Sequence, residues 1–482
     1  MRVEVARLGA TREVVWRADH VAVDEQPTSD DAAANGCDWD VTFTVPVGAD
    51  WRSGCYEVAF VPDDGSSPGQ TVFALRAPIG RRAPLLVVLS TTTYAAYNNW
   101  GGPNLYEGGI EVSFDRPWIR GFVSRPDDAH GRHATVGNQP DPNNDRLFAY
   151  LERHGLSQRA VESGFATWEH PFVRWAERTG IEFDVAQSTD LELAPDCLEG
   201  YRGYVSVGHD EYWSWEMRDA VEGFIAAGGN AAFFSGNTCF WQVRLSADGR
   251  TMLSHKYGGP WFDPLIGTAD ERRMTGMWSD PLIGRPENHL TGVSFSRGGY
   301  ARFGHAAPRG SGGYTVWRPE HWALDGTDLR YGDVLGADAV VVGYEADGCD
   351  LTLRDGRPEA TGIDGTPEGF EVVATSPAHL WSSGPGGVEL PAREDHDPTL
   401  PADLEYVAMR LFGDWEPHNT ARITNGHAVM GTYVSPGGGQ VFTCGCTDWS
   451  YGLGDAPDPV VARITANVLD RLGQAPTRSG VS

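Results

Sequence analysis

Residues 204–237 have the sequence YVSVGHDEYWSWEMRDAVEGFIAAGGNAAFFSGN, and this stretch decides the fold. The apolar run YVSVG predicts a buried strand, SWEMRDAVEGFIAAGG predicts a helix that ends on two glycines, and NAAFFSGN predicts a second strand. Such an order predicts two parallel strands joined by a right-handed crossover. LLVVLS at 85–90 and IEFDVA at 181–186 extend the pattern. The fold class is therefore α/β, with a doubly wound, mostly parallel sheet.

The rest of the chain divides into an N-terminal domain and a large α/β domain with two insertions. Residues 1–80 contain short alternating runs between Gly, Asp, Ser and Pro clusters, which are typical of a small Ig-like β-sandwich. Residues 81–482 form the α/β domain, and its Gly- and Pro-rich insertions at about 246–335 and 346–400 are typical of lids or pocket walls. Further strands and a closing helix are expected at AVVVGYE (339–345), HAVMGTYV (427–434), QVFTCG (440–445) and VVARITANVLDRL (460–472).

Charge and hydropathy exclude several classes of partner. The formal net charge of -28 repels phosphate backbones and anionic lipid, so we expect neither nucleic acid nor a membrane as partner. No apolar run approaches the roughly 20 residues that span a bilayer, and the residues after Met1 lack the apolar core of a signal peptide. We therefore expect a cytoplasmic protein. The seven scattered cysteines include no CxxC pair, which favours buried thiols over a zinc site.

Polar side chains follow several predicted strands, at the edge where open α/β sheets bind ligands. His209 and Glu211 lie two residues apart in GHDEYWS, a combination suited to metal binding or acid/base chemistry. Alternatively, Asp210, Glu211 and Ser214 only cap and neutralise the N-terminus of the next helix. The residue types leave both interpretations open.

The other strand ends add an amide, a second carboxylate and several phenols. Asn237 can donate to an oxyanion or make a turn. Glu345 can act as a general base or form a salt bridge. Tyr94, Tyr97 and Tyr106 surround a Gly-rich loop, where phenols can donate hydrogen bonds, bind a hard trivalent metal when deprotonated, or simply pack. Because these groups all follow strands of one sheet, we favour a functional site there.

Aromatic residues near these strand ends are candidates for contact with a substrate. We assign substrate binding to Tyr97, which lies in the stretch TYAAYNNWGG, and to Tyr212 and Trp213, which lie in GHDEYWS. A different set, Trp100, Trp213 and Trp241, could stack on a sugar ring. That second set keeps a glycosyl substrate open as an alternative.

Several motifs together resemble one enzyme family. They are TYAAYNNWGG (93–102), VSFDRP (112–117), W-x-x-x-x-V-R-W-x-E (168–177), GHDEYWS (208–214) and GGNAAFFSGNTCFWQ (228–242). Over roughly residues 85–475 the chain resembles the C-terminal family of the large (beta) subunit of N,N-dimethylformamidase. The resemblance implies a glutamine-amidotransferase-like α/β fold without the amidotransferase cysteine. It also implies a mononuclear ferric ion, Fe(3+), held by two tyrosines and one glutamate.

The family's functional residues can be carried over by motif. The implied metal ligands are Glu211, Tyr106 and one tyrosine of the TYxxY motif, which is Tyr94 or Tyr97; we favour Tyr94. The implied catalytic residues are His209, Asn237 and Glu345.

The resemblance predicts an amidohydrolase that cleaves the C–N bond of a small, formamide-like amide by ferric activation of water. One alternative is a metal-free C–N or glycosyl hydrolase that uses paired glutamates. Another is an amidotransferase-like protein that binds a ligand without catalysis. The expected partner is a small-molecule amide. Homo-oligomers and a small second subunit are compatible with the sequence.

Overall fold

The computed structural model describes residues 1–66, 68–126, 132, 145–303, 310–382 and 402–474. Residues 304–309 and 383–400, which belong to the two expected insertions, lie outside the described residues. None of the described helices is long and apolar enough to cross a membrane.

The structure contains strands and α-helices in an irregular alternation. The strands are β1 (Arg2–Leu8), β2 (Arg12–Ala18), β3 (Gly54–Val61), β4 (Gly69–Leu75), β5 (Leu85–Leu89), β6 (Glu111–Ser113), β7 (Phe183–Gln187), β8 (Gly203–His209), β9 (Tyr212–Ser214), β10 (Asn230–Gly236), β11 (Trp241–Leu245), β12 (Thr251–Leu253), β13 (Ser294–Tyr300), β14 (Tyr314–Val316), β15 (Val334–Leu335), β16 (Glu345–Gly348), β17 (Leu351–Arg354), β18 (Arg357–Ala360), β19 (Glu371–Ala378), β20 (Gly426–Val434) and β21 (Gln440–Thr443). The helices are α1 (Ala32–Asn35), α2 (Thr91–Tyr97), α3 (Asp145–His154), α4 (Glu169–Arg178), α5 (Asp190–Leu193), α6 (Trp215–Ala226), α7 (Gly259–Phe262), α8 (Asn288–Thr291), α9 (Asp403–Phe412), α10 (Pro417–Thr420) and α11 (Pro459–Leu472).

A nine-stranded mixed sheet forms the centre of the molecule, in the order β15-β14-β19-β20-β21-β10-β8-β5-β7. Strands β21, β10, β8, β5 and β7 are parallel to one another. Strands β20, β19, β14 and β15 continue the sheet by antiparallel pairs. The α/β class is confirmed, but only one half of the sheet is parallel. The expected insertions supply β14, β15 and β19, and the short connection from β20 to β21 makes an antiparallel hairpin.

The parallel half forms where the sequence predicts buried strands. All residues of β5, β8 and β10 are buried. Val205 and Phe234 face one apolar cluster that includes residues of α4 and α11. Tyr204 and Phe233 face a second cluster that includes residues of α6. Because side chains alternate along a strand, a continuous apolar run can bury both faces of the sheet.

Helix α6 begins where the sequence predicts a cap. The Ser214 hydroxyl accepts the backbone N–H of Met217 at 3.1 Å, which satisfies one free donor of the first turn. The same hydroxyl donates to Glu192 at 2.5 Å. This cap fixes the end of the segment that leads from β8 into the helix.

The N-terminal strands form one four-stranded antiparallel sheet, in the order β2-β1-β3-β4. A sandwich needs two facing sheets, but the described residues between β2 and β3 contain only the short helix α1. The sheet instead packs on the large domain, where Leu8 and Cys55 share a buried cluster with Leu89. Arg7 also contacts Glu177 of α4 at 2.6 Å.

The run AVVVGYE differs most from its expected structure. Only Glu345 lies in a strand, the first residue of β16, which pairs with β13 outside the nine-stranded sheet. Val341 and Val342 are fully buried without belonging to a strand, and Val340 has a positive φ of 52°. The apolar run therefore indicated burial correctly and strand incorrectly. Burial and β structure are separate properties of a short apolar run.

The cysteines are buried thiols, as the sequence predicts. All seven are free and buried. Cys444 and Cys446, which follow β21, have their sulfur atoms 3.8 Å apart. They pack in the apolar cluster that includes residues of α11.

Candidate active site

A cavity of about 280 Å³ lies beyond the carboxyl ends of β8 and β10. Glu211 follows β8, Asn237 follows β10, and Glu345 enters from the separate β13–β16 pair; all three line the cavity. His209, the last residue of β8, contacts both glutamates. The sequence prediction that these four residues lie close together is met, although Glu345 arrives from outside the central sheet.

Three phenols and one carboxylate form a compact cluster at the cavity. The hydroxyls of Tyr97 and Tyr106 lie 2.5 Å apart, and they reach Glu211 at 3.0 Å and 3.1 Å respectively. The Tyr212 hydroxyl donates to that of Tyr106 at 2.8 Å. Tyr97 comes from α2 and Tyr106 from the loop that follows it. The TYxxY helix and the Gly-rich loop therefore converge on one carboxylate.

The protonation of this cluster follows from burial and charge. Burial, and then the negative charge of Glu211, raise the pKa of Tyr97 and Tyr106 well above the ordinary phenol value. Burial also opposes ionisation of Glu211, but His209 and Lys256 outweigh it and lower the pKa of this carboxyl. Without a cation at the site, the phenols are thus neutral donors to an ionised carboxylate.

His209 is held between two carboxylates. Its Nδ1 lies 2.9 Å from the backbone carbonyl of Glu162, which can only accept, so Nδ1 carries a proton. Its Nε2 lies 3.1 Å from Glu211 and 2.8 Å from Glu345, in contacts that fall outside hydrogen-bond directions. Burial alone would lower the pKa of His209, but these two glutamates hold it well above the ordinary value. The ring is therefore an imidazolium in this state.

Asn237 is fixed by a third carboxylate. Its backbone has a positive φ of 49°, which Asn tolerates better than most residues. Asp347 accepts the N–H groups of Asn237 at 2.8 Å and Thr238 at 3.0 Å. The side-chain amide donates to Glu345 at 3.4 Å, while its carbonyl oxygen has no hydrogen-bond donor among the described residues. Asn237 thus makes a turn and also presents a polar group to the cavity.

Tyr94 lies apart from the phenol–carboxylate cluster. Its hydroxyl donates to the buried Glu169 at 2.5 Å, and its ring packs near Trp118 and Phe122. Residues three apart in an α-helix lie on one face, about one turn apart, and in α2 that turn places Tyr94 against Glu169 and Tyr97 against Glu211. The structure gives this place to Tyr97, so the preference for Tyr94 as a metal ligand is corrected.

The three expected substrate-binding residues divide between the cavity and the core. Tyr97 lines the cavity. Tyr212 donates a hydrogen bond to Tyr106, which lines the cavity. Trp213 points to the opposite face of its strand, where its indole N–H donates to Asp210 at 2.9 Å and its ring packs beside Tyr204. Trp213 is therefore corrected to a core residue, because alternate residues of a strand face opposite sides.

Several residues of the cavity were missed by sequence reasoning. Lys256 places its Nζ 3.0 Å from the centroid of the Tyr106 ring, and the sequence marks it only as the single lysine of the chain. Tyr300 and Trp381 line the cavity, so the described parts of both expected insertions contribute to its walls. Among the three tryptophans considered for sugar stacking, only Trp241 lines the cavity.

The oxygen cluster fits a small, hard cation. Ligands at right angles around a cation with bonds near 2.05 Å lie about 2.9 Å apart, and the oxygens of Tyr97, Tyr106 and Glu211 are separated by 2.5–3.1 Å. Across the described residues, no group of three or more His, Cys, Asp and Glu is arranged to hold a metal. The candidate ligand set differs because phenols supply two of its three oxygens, and hard oxygen donors suit a trivalent ion.

Fold and site together define an α/β protein with an oxygen-rich, partly aromatic cavity at the end of a mixed sheet. A family model described as "N,N-dimethylformamidase beta subunit-like, C-terminal" matches residues 2–460. The chain therefore belongs to this family. The match includes the N-terminal sheet, which the sequence resemblance over residues 85–475 had left out.

Two relatives carry the same name. The chain is 25% identical over 470 residues to the N,N-dimethylformamidase beta subunit of Paracoccus aminophilus, a match that covers 90% of this chain and 54% of that protein. It is also 25% identical over 482 residues to the N,N-dimethylformamidase beta subunit of an Alcaligenes species, with the same coverage. The chain thus spans about half the length of the curated relatives it matches.

Proposed function

We propose that this protein hydrolyses the C–N bond of an amide. The observation that carries the proposal is the convergence of Tyr97, Tyr106 and Glu211 beside His209, Asn237 and Glu345 in one cavity. Family membership supports it, because both relatives are named N,N-dimethylformamidase. The proposed substrate is a formamide-like amide.

We further propose that Tyr97, Tyr106 and Glu211 hold one ferric ion. Two phenolates and a carboxylate would offset its three positive charges, and their hydrogen-bonded protons would leave on binding. A ferric ion supplies Lewis-acid activation of an amide carbonyl and of water when it is bound. The nearby charge of Lys256, above the Tyr106 ring, favours the ionised form of that phenol.

The remaining residues supply proton transfer and oxyanion binding. Glu345 takes a proton from the attacking water, whose oxygen forms a bond to the carbonyl carbon. The C–N bond then breaks, and the proton passes to the leaving nitrogen. The products are a carboxylic acid and an amine, with one water consumed. The N–H groups of His209 and Asn237 stabilise the oxyanion, at about 3 kcal/mol per donor.

Two variants separate these roles. Glu211→Ala is expected to lose bound iron and turnover together, because it removes a ligand. Glu345→Gln is expected to keep iron and to lose turnover, because the amide cannot accept the proton. The measurements are iron content and release of dimethylamine from N,N-dimethylformamide. Glu182→Gln, at an exposed position, is the matched control and should resemble the parent protein.

Other outcomes favour the other candidate functions. If Glu211→Ala kept both iron and turnover, the site assignment would be wrong. Turnover that survives chelation would favour a metal-free hydrolase, since Glu211 and Glu345 both contact His209 and could form an acid/base pair. Ligand binding without turnover would favour a binding protein.

The proposal extends to fold class and assembly. We assign the sheet to the glutamine-amidotransferase-like class, supported by its five parallel strands and the short connection from β8 into β9 and α6, which carries Glu211. Both relatives are named beta subunits, so we also propose that this chain assembles with other chains. Light scattering that gives the 52.4 kDa of one chain would contradict this.

A further inference from the structure

The wall of the cavity contains more aromatic surface than a small amide can cover. The ring of His209 lies 6.1 Å from that of Tyr344, which lies 6.0 Å from that of Tyr300. Tyr300 stacks on Trp381 with ring centroids 4.2 Å apart and an angle of 21°. A continuous aromatic wall, Tyr344, Tyr300 and Trp381, therefore leads away from the proposed reacting centre.

A second row of rings joins the same wall. The rings of Phe240 and Phe295 are 5.2 Å apart, and those of Phe295 and Tyr300 are 5.5 Å apart. Phe240, Phe295, Tyr300, Tyr344 and Trp381 all line the cavity. Polar and charged side chains, among them Glu211, Glu345 and Lys256, line other parts of the cavity. The cavity thus has a reacting end and an aromatic side.

The volume of the cavity agrees with this division. An apolar protein cavity of about 150 Å³ holds one benzene molecule, and this cavity measures about 280 Å³. N,N-dimethylformamide is smaller than benzene, so it would leave roughly half of the space beside the aromatic wall unfilled. Water gains few hydrogen bonds there, because aromatic faces offer it no strong partners. An apolar group on the substrate would remove that surface from water.

We infer that the preferred substrate is an amide that carries an aryl-sized apolar group, which stacks on the wall formed by Tyr344, Tyr300 and Trp381. This inference rests on the proposed amide hydrolysis and narrows its substrate class. The carbonyl lies among Glu211, Asn237 and Glu345, and the ring lies over the wall. Hydrolysis is otherwise unchanged: water is consumed, and an acid and an amine are released.

The experiment compares amides that differ in the group they carry. N-methylformanilide has the ring on nitrogen, N,N-dimethylbenzamide has it on the acyl side, and N,N-dimethylformamide has none. We expect at least one aryl amide to exceed N,N-dimethylformamide in kcat/KM by about 10-fold or more. The better of the two shows which side of the C–N bond faces the wall. Binding is measured in parallel by quenching of tryptophan fluorescence.

Variants of the wall test its role directly. Tyr300→Leu keeps an apolar side chain but removes the stacking ring, and it should lower kcat/KM for the aryl amide roughly 10-fold more than kcat/KM for N,N-dimethylformamide. Trp415→Leu removes an exposed tryptophan and serves as the matched control. It should change neither value.

The outcomes separate the inference from the function on which it rests. If N,N-dimethylformamide is hydrolysed as well as both aryl amides, or better, the inference fails and the amidase remains. If the aryl amides bind tightly and lose that affinity in Tyr300→Leu, but no amide is hydrolysed, N,N-dimethylformamide included, the wall is a binding surface and the amidase fails. If neither aryl amide binds, the inference is overturned.

Discussion

Glu169 is a buried glutamate that should make the fold less stable as the pH rises. Burial raises its pKa from an ordinary 4.5 to about 8, although hydrogen bonds from Tyr94 and the Ser90 N–H partly oppose this. Its second carboxyl oxygen has no hydrogen-bond partner among the described residues. Between these two pKa values the folded state holds a proton that the unfolded chain has lost. Stability therefore falls with rising pH across this window and is constant above it.

The size of the effect follows from the two pKa values. A single group of this kind contributes at most about 1.4 kcal/mol per pH unit, which amounts to about 2.5 kcal/mol between pH 5 and pH 7. Glu169→Gln keeps the shape and the contact with Tyr94 but cannot ionise. We expect the variant to be more stable than the parent at pH 7 and above, with little gain at pH 5.

Urea unfolding at pH 5, 7 and 9 measures this difference from the shift in midpoint. Glu182→Gln, an exposed glutamate, controls for the loss of charge and should show no pH-dependent gain. The infrared absorption of protonated carboxyls near neutral pH should also lose one component in Glu169→Gln. Equal midpoints for the parent and Glu169→Gln at all three pH values would refute the burial argument for this residue.

Two further substitutions test the supports of the site. Asp347→Asn leaves the N–H of Asn237 or Thr238 without its acceptor, so we expect kcat to fall roughly 100-fold with KM and iron content little changed. The control is Asp338→Asn at an exposed position. If Asp347→Asn had the same kcat as the parent protein, a positioning role for Asp347 would be excluded. Ser214→Ala removes the cap of α6 and should lower the free energy of unfolding by about 1–2 kcal/mol without changing kcat. An unchanged free energy of unfolding would show that the cap does not stabilise the fold.

Much of the parallel half of the fold can be predicted from the sequence. β5, β8 and β10 are short apolar runs bounded by polar or glycine residues, and Ser214 marks the start of α6. These signals are local, so each can be recognised without knowledge of the rest of the chain. β19 has the sequence EVVATSPA within a Gly- and Pro-rich segment, and its place beside β20 depends on distant pairing. The Gly- and Pro-rich composition of this segment suggested an insertion, whereas tertiary contacts make part of it, β19, a strand inside the nine-stranded sheet.

The site was predictable where residues follow buried strands. His209 ends β8, Glu211 follows β8 and Asn237 follows β10, so the topology of the sheet brings them together. The choice between Tyr94 and Tyr97 depended on the direction of α2, which the sequence does not show. Tyr300 and Trp381 come from segments far apart in the chain, and no local pattern links their rings. Long-range packing therefore decides the shape of the cavity, whereas local patterns decide its reacting end.

The most direct test is metal analysis with a visible absorption spectrum on protein purified without chelators. Ferric tyrosinate absorbs visible light by charge transfer, so the protein should contain about one iron per chain and be coloured. Tyr97→Phe should lose the iron or shift and weaken the band, whereas Tyr94→Phe should keep both, because Tyr94 contacts Glu169 instead of Glu211. A colourless parent protein without iron, or a band that depends on Tyr94 and not on Tyr97, would contradict the proposed centre.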